Sequence, residues 1–449
     1  MTDIYDVVII GGGITGTSLL YAISEYSDIK SVLLLEKYDG LARLNSNSRN
    51  NAQTLHFGDV ETNYTPQTAK RTKEAAELVL RYTDSLPDAE RRRIIQRCQK
   101  MVLASGDFEL GILEKTYKSI RPLFPGLKRV GRKQLAALEP NVVKGRDKDD
   151  EIAALLSDNG HMVDFGRLTK SFANKAMKHT RKRIRIKFNT AVLRAEHDGD
   201  NFRVVTAGKE YRARFVVFSA GAYSLYFAKK MGYDKNLSAL AVAGNFYYSK
   251  RVLNGKVYRV QLGGIPFAAI HGDPEITNPG LTRFGPTVTL PPELERGHFE
   301  TFGDYLRTFD FDLPTAISLK RILFNKDISR ILRANIAYLV PISGKMEFVK
   351  HEAARIVPSL KNRDLWLAKG IGGIRPQIID ENKKALILGE AKLKEDGIIF
   401  NVTPSPGASS CLQGAVADLR VITEYLDKEF DEGRFERELG EVKHHLRHF

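Results

Sequence analysis

One stretch of six residues, set between an apolar run and a helical pattern, constrains this 449-residue chain more than any other feature. Asp6-Val-Val-Ile-Ile10 is short, β-branched and apolar, the pattern of a parallel strand covered on both faces. Gly11-Gly-Gly-Ile-Thr-Gly16 follows at once and sets Gly11, Gly13 and Gly16 in G-x-G-x-x-G spacing. A helical pattern then turns Leu19, Leu20 and Ile23 inward, and a second strand, Ser31 to Leu35, ends at Glu36. Gly11 permits a tight turn, Gly13 lets backbone N–H groups approach a pyrophosphate, and Gly16 lets the helix lie close on the strand. Ile14 and Thr15 fall in the first helical turn, whose N–H groups carry partial positive charge suited to phosphate. Glu36 lies 20 residues past Gly16, where a carboxylate accepts both ribose hydroxyls of an adenosine. An acid there argues against a 2′-phosphate, which leaves NAD or FAD.

A second strand–helix junction lies near the C-terminus. Gly397 to Phe400 reads as a strand, Asn401 to Pro406 as a loop, and Gly407 to Ala417 as a helix with small residues in its first turns. Small residues let a planar group lie against the helix start, whose dipole favours negative charge on a reduced flavin. A third fragment, Phe215-Val-Val-Phe-Ser-Ala-Gly221, reads as a strand ending in a small-residue turn. Three separated pieces around one site suit extended FAD better than NAD, and no second G-x-G-x-x-G is present. Two cysteines exclude a disulfide scaffold or Cys-rich metal site, and neither H-E-x-x-H nor G-x-x-x-x-G-K-[ST] occurs, so no metal is expected. No apolar run reaches the ~18 residues of a membrane-spanning helix. The N-terminus reads as a core strand and not a signal peptide, which predicts a reducing, cytoplasmic setting.

Taken together, DVVIIGGGITG (6–16), SNSRNNAQTLHFGDVETNYTP (46–66), LEPNVV (138–143), VAGNFYY (242–248), PFAAIHGDP (266–274), TRFGPT (282–287), GGIRPQIID (372–380) and NVTPSPGASSCLQGA (401–415) resemble the FAD-dependent oxidoreductases that include D-amino-acid oxidase, glycerol-3-phosphate dehydrogenase and L-2-hydroxyglutarate dehydrogenase. Within that group the chain most closely resembles malate:quinone oxidoreductase. The resemblance implies FAD as cofactor, oxidation of (S)-malate to oxaloacetate, and a membrane quinone as acceptor. It implies cofactor contacts at Asn51, Gln53, Thr54 and His56 in the 46–58 segment, at Val192 and Gly221, and at Gly407, Ala408, Ser409 and Ser410. Thr65-Pro66 then starts a helix, with Ala69, Ala76, Val79 and Leu80 on its apolar face.

Arg375 follows a glycine pair and precedes Pro376, which holds it extended. A guanidinium so held grips a carboxylate through two hydrogen bonds, and Arg375 is the expected substrate anchor. His271, at the end of an apolar segment, is the expected general base for the substrate hydroxyl; its bland alternative is a hydrogen-bonded histidine in a sheet. Arg283 is the candidate second cation for a four-carbon diacid. Tyr248, alternating with Phe246, is a candidate wall of the substrate site, with core packing as the alternative.

The fold class expected is α/β, α+β overall: a Rossmann-type FAD-binding domain, discontinuous in sequence, with an inserted substrate domain on a mainly antiparallel sheet. The FAD-binding domain comprises 1–85, 155–225 and 365–430, the substrate domain 86–154 and 226–364, and 431–449 is a basic tail. The chain carries 69 Lys and Arg against 54 Asp and Glu, a net +15. Clusters at Arg91–Arg93, Lys178–Lys187 and Lys443–Phe449 predict peripheral attraction to an anionic membrane surface, about 1 kcal/mol per basic residue near it. Nucleic acid is not expected as a partner, since these clusters lack interleaved aromatics to stack bases. A tRNA-modifying flavoprotein, a nucleotide-fold binder without redox chemistry, and the same oxidation performed on (S)-lactate are the competing readings. The oligomeric state is not legible.

Overall fold

The computed structural model describes residues 4–233, 236–261, 270–309, 317, 320–321, 324, 326–340, 343–383, 385–387, 391–402 and 407–442. Five parallel strands run through a central sheet of eight: β1 (Ile4–Ile10), β2 (Ser31–Leu35), β3 (Arg183–Lys187), β4 (Glu210–Phe218) and β5 (Ile398–Val402), in the spatial order β5-β4-β1-β2-β3, with antiparallel strands Val192–Asp198, Asn201–Thr206 and Ala391–Glu395 added to it. Val7 and Ile9 of β1 face one apolar cluster, while Val8 and Ile10 face another. Both faces are covered, so the run is continuously apolar and does not alternate. Helix α1 (Ile14–Tyr26) connects β1 to β2 and packs with α3 (Phe165–Met177) and α4 (Cys411–Leu426) on the first face. The close approach of α1 to β1 needs Gly16: a Cβ there would lie 2.1 Å from the Gly11 carbonyl oxygen.

A second sheet of eight strands is mainly antiparallel. It runs in the order Trp366–Leu367, Tyr247–Lys250, Leu281–Gly285, His271–Pro274, Lys256–Arg259, Lys100–Ser105, Ile152–Ser157 and Lys128–Gly131. A third, three-stranded sheet pairs Leu237–Ala243 with Ile374–Asp380, and Ala385–Ile387 completes it. The chain thus alternates repeatedly between the sheets.

Several sequence expectations are corrected in detail. The expected border at 154 falls inside the Ile152–Ser157 strand, and Trp366–Leu367, past the border at 364, joins the second sheet. The C-terminal helix begins at Cys411, four residues after Gly407. On α2 (Pro66–Asp84), capped by Thr65, Ala69, Ala76 and Val79 are buried as the pattern demands, Leu80 packs half-buried against the same core, and Tyr82 is buried beside them. Residues 431–449 do not begin as a tail: Glu432–Leu439 is a helix capped by Asp431, and its buried Phe435 sets its ring 5.0 Å from that of Tyr26. The apolar segment expected before His271, the loop at 403–406 and the basic residues from 443 onward lie outside the described residues.

The Lys178–Lys187 cluster is partly structural. Lys182 donates to the carbonyls of Ile23 (2.9 Å), Ser24 (2.7 Å) and Ser27 (2.5 Å), filling the open C-terminal end of α1. Burial brings its pKa down to about 8. Arg183 donates to the Ile4 carbonyl and lies 4.4 Å over the Tyr5 ring. Lys182→Met removes one donor shared by three carbonyls. It is expected to cost about 1–3 kcal/mol and to lower the melting temperature by several degrees, read by circular dichroism. An unchanged melt would show that water satisfies those carbonyls equally well.

Candidate active site

The glycine turn and the start of α1 build one end of a long cleft. Gly11 has φ +117°, and a Cβ on it would lie 2.4 Å from the Ser219 carbonyl oxygen, so β1, β4 and the turn close together only around glycine. Gly13 caps α1 without a side-chain hydrogen bond, and no acid lies in the first turn. The Ile14 N–H is taken by Ser46 Oγ at 2.8 Å. Gly11, Gly13, Ile14 and Thr15 all line the cleft, which leaves an electropositive helix end facing it. Glu36, at the end of β2, accepts from the Gly12 N–H (2.6 Å) and the Tyr38 N–H (2.9 Å) and also lines the cleft. Burial pushes its carboxyl pKa up, against the pull of those two N–H groups. Val192 and Gly221, the latter at φ +61°, complete this end.

The polar 45–58 segment runs along the cleft to its other end. Asn51, Thr54 and His56 line it, as do Gly407, Ala408 and Ser409. The His56 N–H donates to Ser409 Oγ at 3.0 Å, which stitches this segment to the start of α4. His56 Nδ1 lies 2.7 Å from Glu61 Oε1. Burial works to raise the Glu61 carboxyl, but the His56 hydrogen bond and the Lys100 charge outweigh it and bring the pKa down to about 2.

Arg375 lies on the third sheet opposite Val242 and lines the same cleft. Among the described residues, no hydrogen bond or ion pair to its guanidinium is found. Burial pushes its pKa down, and the neighbouring Tyr258 opposes this. The Tyr258 hydroxyl lies 2.7 Å from Thr54 Oγ1. The other basic residues at the cleft are committed: Lys37 to Glu295, Arg43 to Asp39, and Lys230 to the Leu193 carbonyl.

Six residues expected at the site do not line the cleft. Gly16 serves helix packing. Ser410 caps α4 one residue too far along. Gln53, held at φ +51°, is the bolt of the 45–58 segment: it donates to the Ser48 carbonyl (2.9 Å) and accepts from the Ile276 N–H (3.1 Å). Arg283 is fully buried, pairs with Asp273 at 2.8 Å and Glu275 at 3.5 Å, and donates to the Asn51 carbonyl. It is therefore a support beneath the loop, not a second cation at the cleft. Tyr248 donates to Glu275 in the same buried group. His271, 1% exposed, lies with its ring 4.7 Å from that of Tyr258 and its Nε2 3.5 Å from Asp273.

Sequence reasoning missed Ser46, Asn45, Asn50, Glu61 and Tyr258. The first three lie in or beside the SNSRNN block, whose density of amides was a usable signal. Glu61, five residues past His56, was visible as a possible partner. Tyr258 had no local signal, because its place follows from pairing across the second sheet. No group of three or more His, Cys, Asp or Glu side chains suited to a metal occurs among the described residues.

The glycine cradle, the start of α1, Glu36 and the unpartnered Arg375 line one cleft, which fits a long nucleotide and an anion site beside it. Comparison with known proteins agrees. A family model described as FAD dependent oxidoreductase matches residues 6–412. The chain is 40% identical to a probable malate:quinone oxidoreductase of Campylobacter jejuni, over 97% of this chain and 99% of that one. It is 38% identical to a malate:quinone oxidoreductase of Helicobacter pylori, over 97% and 98%. Among solved structures, L-α-glycerophosphate oxidase from Mycoplasma pneumoniae shares the fold at TM-score 0.65 and 18% identity, covering 94% of this chain and 95% of that one. Glycine oxidase from Geobacillus kaustophilus does so at 0.64 and 17%, covering 99% and 100%. With matches of this length and identity, the chain belongs to the malate:quinone oxidoreductase family of FAD-dependent oxidoreductases.

Proposed function

We propose that this chain oxidises (S)-malate to oxaloacetate with FAD and passes the electrons to a quinone dissolved in the membrane. The observation that carries the reading is Arg375, a cation without an anionic partner among the described residues, in the same cleft as His56 and the nucleotide cradle. The parallel sheet and its flanks form the FAD module, and the large antiparallel sheet, with the Ile152–Ser157 and Trp366–Leu367 strands included, forms the substrate module. Gly11, Gly13 and the first turn of α1 hold the pyrophosphate, Glu36 the ribose, and Gly407 to Ser409 the flavin side. The chemistry the flavin supplies when bound is two-electron acceptance from C2 of the hydroxy acid and release of those electrons to quinone.

Arg375 binds the C1 carboxylate through two N–H groups and orients C2. The proton of the C2 hydroxyl goes to His56. Glu61, an anion throughout the working pH range with a pKa of about 2, can only accept a hydrogen bond. Nδ1 of His56 therefore donates to it, which leaves Nε2 as the nitrogen that takes up the proton. Glu61 then stabilises the imidazolium that forms. What favours His56 over His271 as base is access: His56 lines the cleft, whereas His271 is 1% exposed and is not among the lining residues.

A second reading, oxidation of lactate or another monocarboxylate 2-hydroxy acid, is favoured by one observation. Arg375 is the lone cleft-lining Arg or Lys without a partner among the described residues, and Arg283 is not available for a second carboxylate. Membrane contact is peripheral in this reading: no helix among the described residues is long and apolar enough to cross a bilayer.

Anaerobic malate should bleach the flavin absorbance of the purified protein, whereas bleaching by lactate alone would replace malate as substrate. Arg375→Ala should retain flavin and lose about 10- to 100-fold in kcat/KM for malate, the value of a charged hydrogen-bonded pair. An unchanged KM would remove Arg375 from the substrate site. His56→Gln should lower the rate of flavin reduction about 10²- to 10⁴-fold. Glu61→Gln should lower kcat by about tenfold with KM little changed, and equal activity would leave Glu61 with a structural role only.

A further inference from the structure

We infer that the face formed by the Lys326–Leu339 helix and its flanks docks on an anionic lipid bilayer, with its apolar side chains entering the boundary between headgroups and acyl chains. This rests on the quinone reading above and names the surface that serves it. The inner side of the helix is fixed by the protein. Asn335 is buried and its Oδ1 accepts from the Val288 N–H at 2.5 Å. Tyr338 is buried, donates to Glu352 at 3.0 Å and sets its ring edge-on to Phe348. With that side fixed, the opposite side carries Lys326, Arg330, Arg333 and Ala337 at helical spacing, and Val340 continues the stripe just past the last turn.

This outer side is amphipathic along its length. Arg330 and Arg333 are exposed in its first half, and Ile336, 62% exposed, stands with Ala337 and Val340 in its second. Phe324, 78% exposed, precedes the helix, and Met346, 49% exposed, follows it. Four large apolar side chains exposed within 23 residues of sequence are more than scattered surface residues require. Charge selects the partner: residues 320–350 hold seven basic and two acidic residues, and one of the acids, Glu347, is already paired with His351. Basic groups beside exposed aliphatic and aromatic groups on a helix match the interface of an anionic bilayer.

The location adds a reason. Val288, held by Asn335, precedes Thr289, which exchanges both backbone hydrogen bonds with Ala243. Ala243 adjoins Val242, the residue opposite Arg375. The face thus stands one short connection from the strand that carries the substrate anchor. The Lys178–Lys187 cluster belongs to the β3 edge instead, and two of its charges are engaged within the protein.

The test uses the flavin-loaded full chain and vesicles of phosphatidylcholine with 30% phosphatidylglycerol (roughly the anionic content that such basic patches need) or phosphatidylcholine alone. Wild type should sediment with the anionic vesicles and not with the neutral ones. Ile336→Glu/Val340→Glu should lower that binding at least tenfold and lower the rate with vesicle-embedded ubiquinone, while reduction of a soluble acceptor by malate stays unchanged. Lys178→Glu/Arg181→Glu should bind as wild type. Equal binding by the Ile336/Val340 variant, loss of binding confined to the Lys178/Arg181 variant, or equal binding to neutral vesicles would each overturn the proposal. So would a shift of the Ile336/Val340 variant to a smaller species by light scattering without vesicles, since the face would then join copies of this chain. Failure of malate to bleach the flavin, with vesicle binding intact, would sink the malate reading and leave the docking face standing.

Discussion

The junction between the 45–58 segment and the strand of Arg375 holds the whole site together. Asn45 donates from Nδ2 to the Ile374 carbonyl at 2.7 Å, and the Gly372 N–H donates to Asn50 Oδ1 at 3.2 Å. A Cβ on Gly373 would lie 2.3 Å from Asn45 Oδ1 and 3.1 Å from the Asn50 carbonyl oxygen, so glycine leaves the room that the Asn45 side chain occupies at this junction. On one side of this junction Ser46 holds the first N–H of α1, and on the other the chain enters the strand bearing Arg375. The phosphate end and the anion end of the cleft are therefore fixed relative to each other by side-chain amides and a glycine. The registration is short-range, although its parts lie more than 300 residues apart in sequence.

Beneath this segment lies a layer of buried charge. Lys256 and Arg283 flank Asp273 at 3.0 and 2.8 Å, Lys256 also donates to the Ala52 carbonyl, and Arg283 donates to the Asn51 carbonyl. Lys100 pairs with Asp59 at 2.5 Å, and Asp59 also accepts from Ser157. Burial raises the Asp273 carboxyl, yet Arg283, Lys256 and His271 outweigh it and bring the pKa down to about 2. Such groups gain little net stability over apolar packing, because desolvation offsets most of their attraction. What they supply here is direction: they take up the carbonyls of Ala52 and Asn51, which an apolar layer would leave unsatisfied, and so set the path of the segment that ends at His56.

The parts of the fold written in contiguous residues were legible: β1, the glycine turn, α1, β2 and Glu36 follow one another as their pattern demands. Arg375 was legible because Pro376 fixes its backbone and glycines precede it. The second sheet defeated residue-by-residue reading. His271, Arg283 and Tyr248 carry the right chemical groups for a carboxylate site. Yet antiparallel pairing sets His271 opposite Gly285 and Asp273 opposite Arg283, and this turns their side chains into the sheet's own charge network. A shift of one residue in such pairing moves a side chain to the other face, and nothing local in the sequence fixes it. His56 was placed in the right segment, but its role depends on Glu61, whose charge is held by Lys100 from a strand of the other sheet.

Arg375 and the charge layer differ in one respect that bears on how the site works. Every cation of the layer has its counter-ion in place, whereas the Arg375 guanidinium is held among buried groups and has none among the described residues. Burial accordingly disfavours its charged form, while Arg283 and Lys100 gain from their acids. A guanidinium remains protonated under any working condition, so the cost is not removed by loss of a proton. It is removed when an anion arrives. A carboxylate entering the cleft meets a donor fork already fixed by its strand, and its negative charge offsets the unfavourable burial there. Lys37 and Arg43, already paired at the cleft's nucleotide end, offer no comparable gain. The same electrostatic bias that makes Arg375 costly in the folded chain therefore makes its part of the cleft the place where an incoming anion gains most, which is what the proposed role of Arg375 as substrate anchor requires.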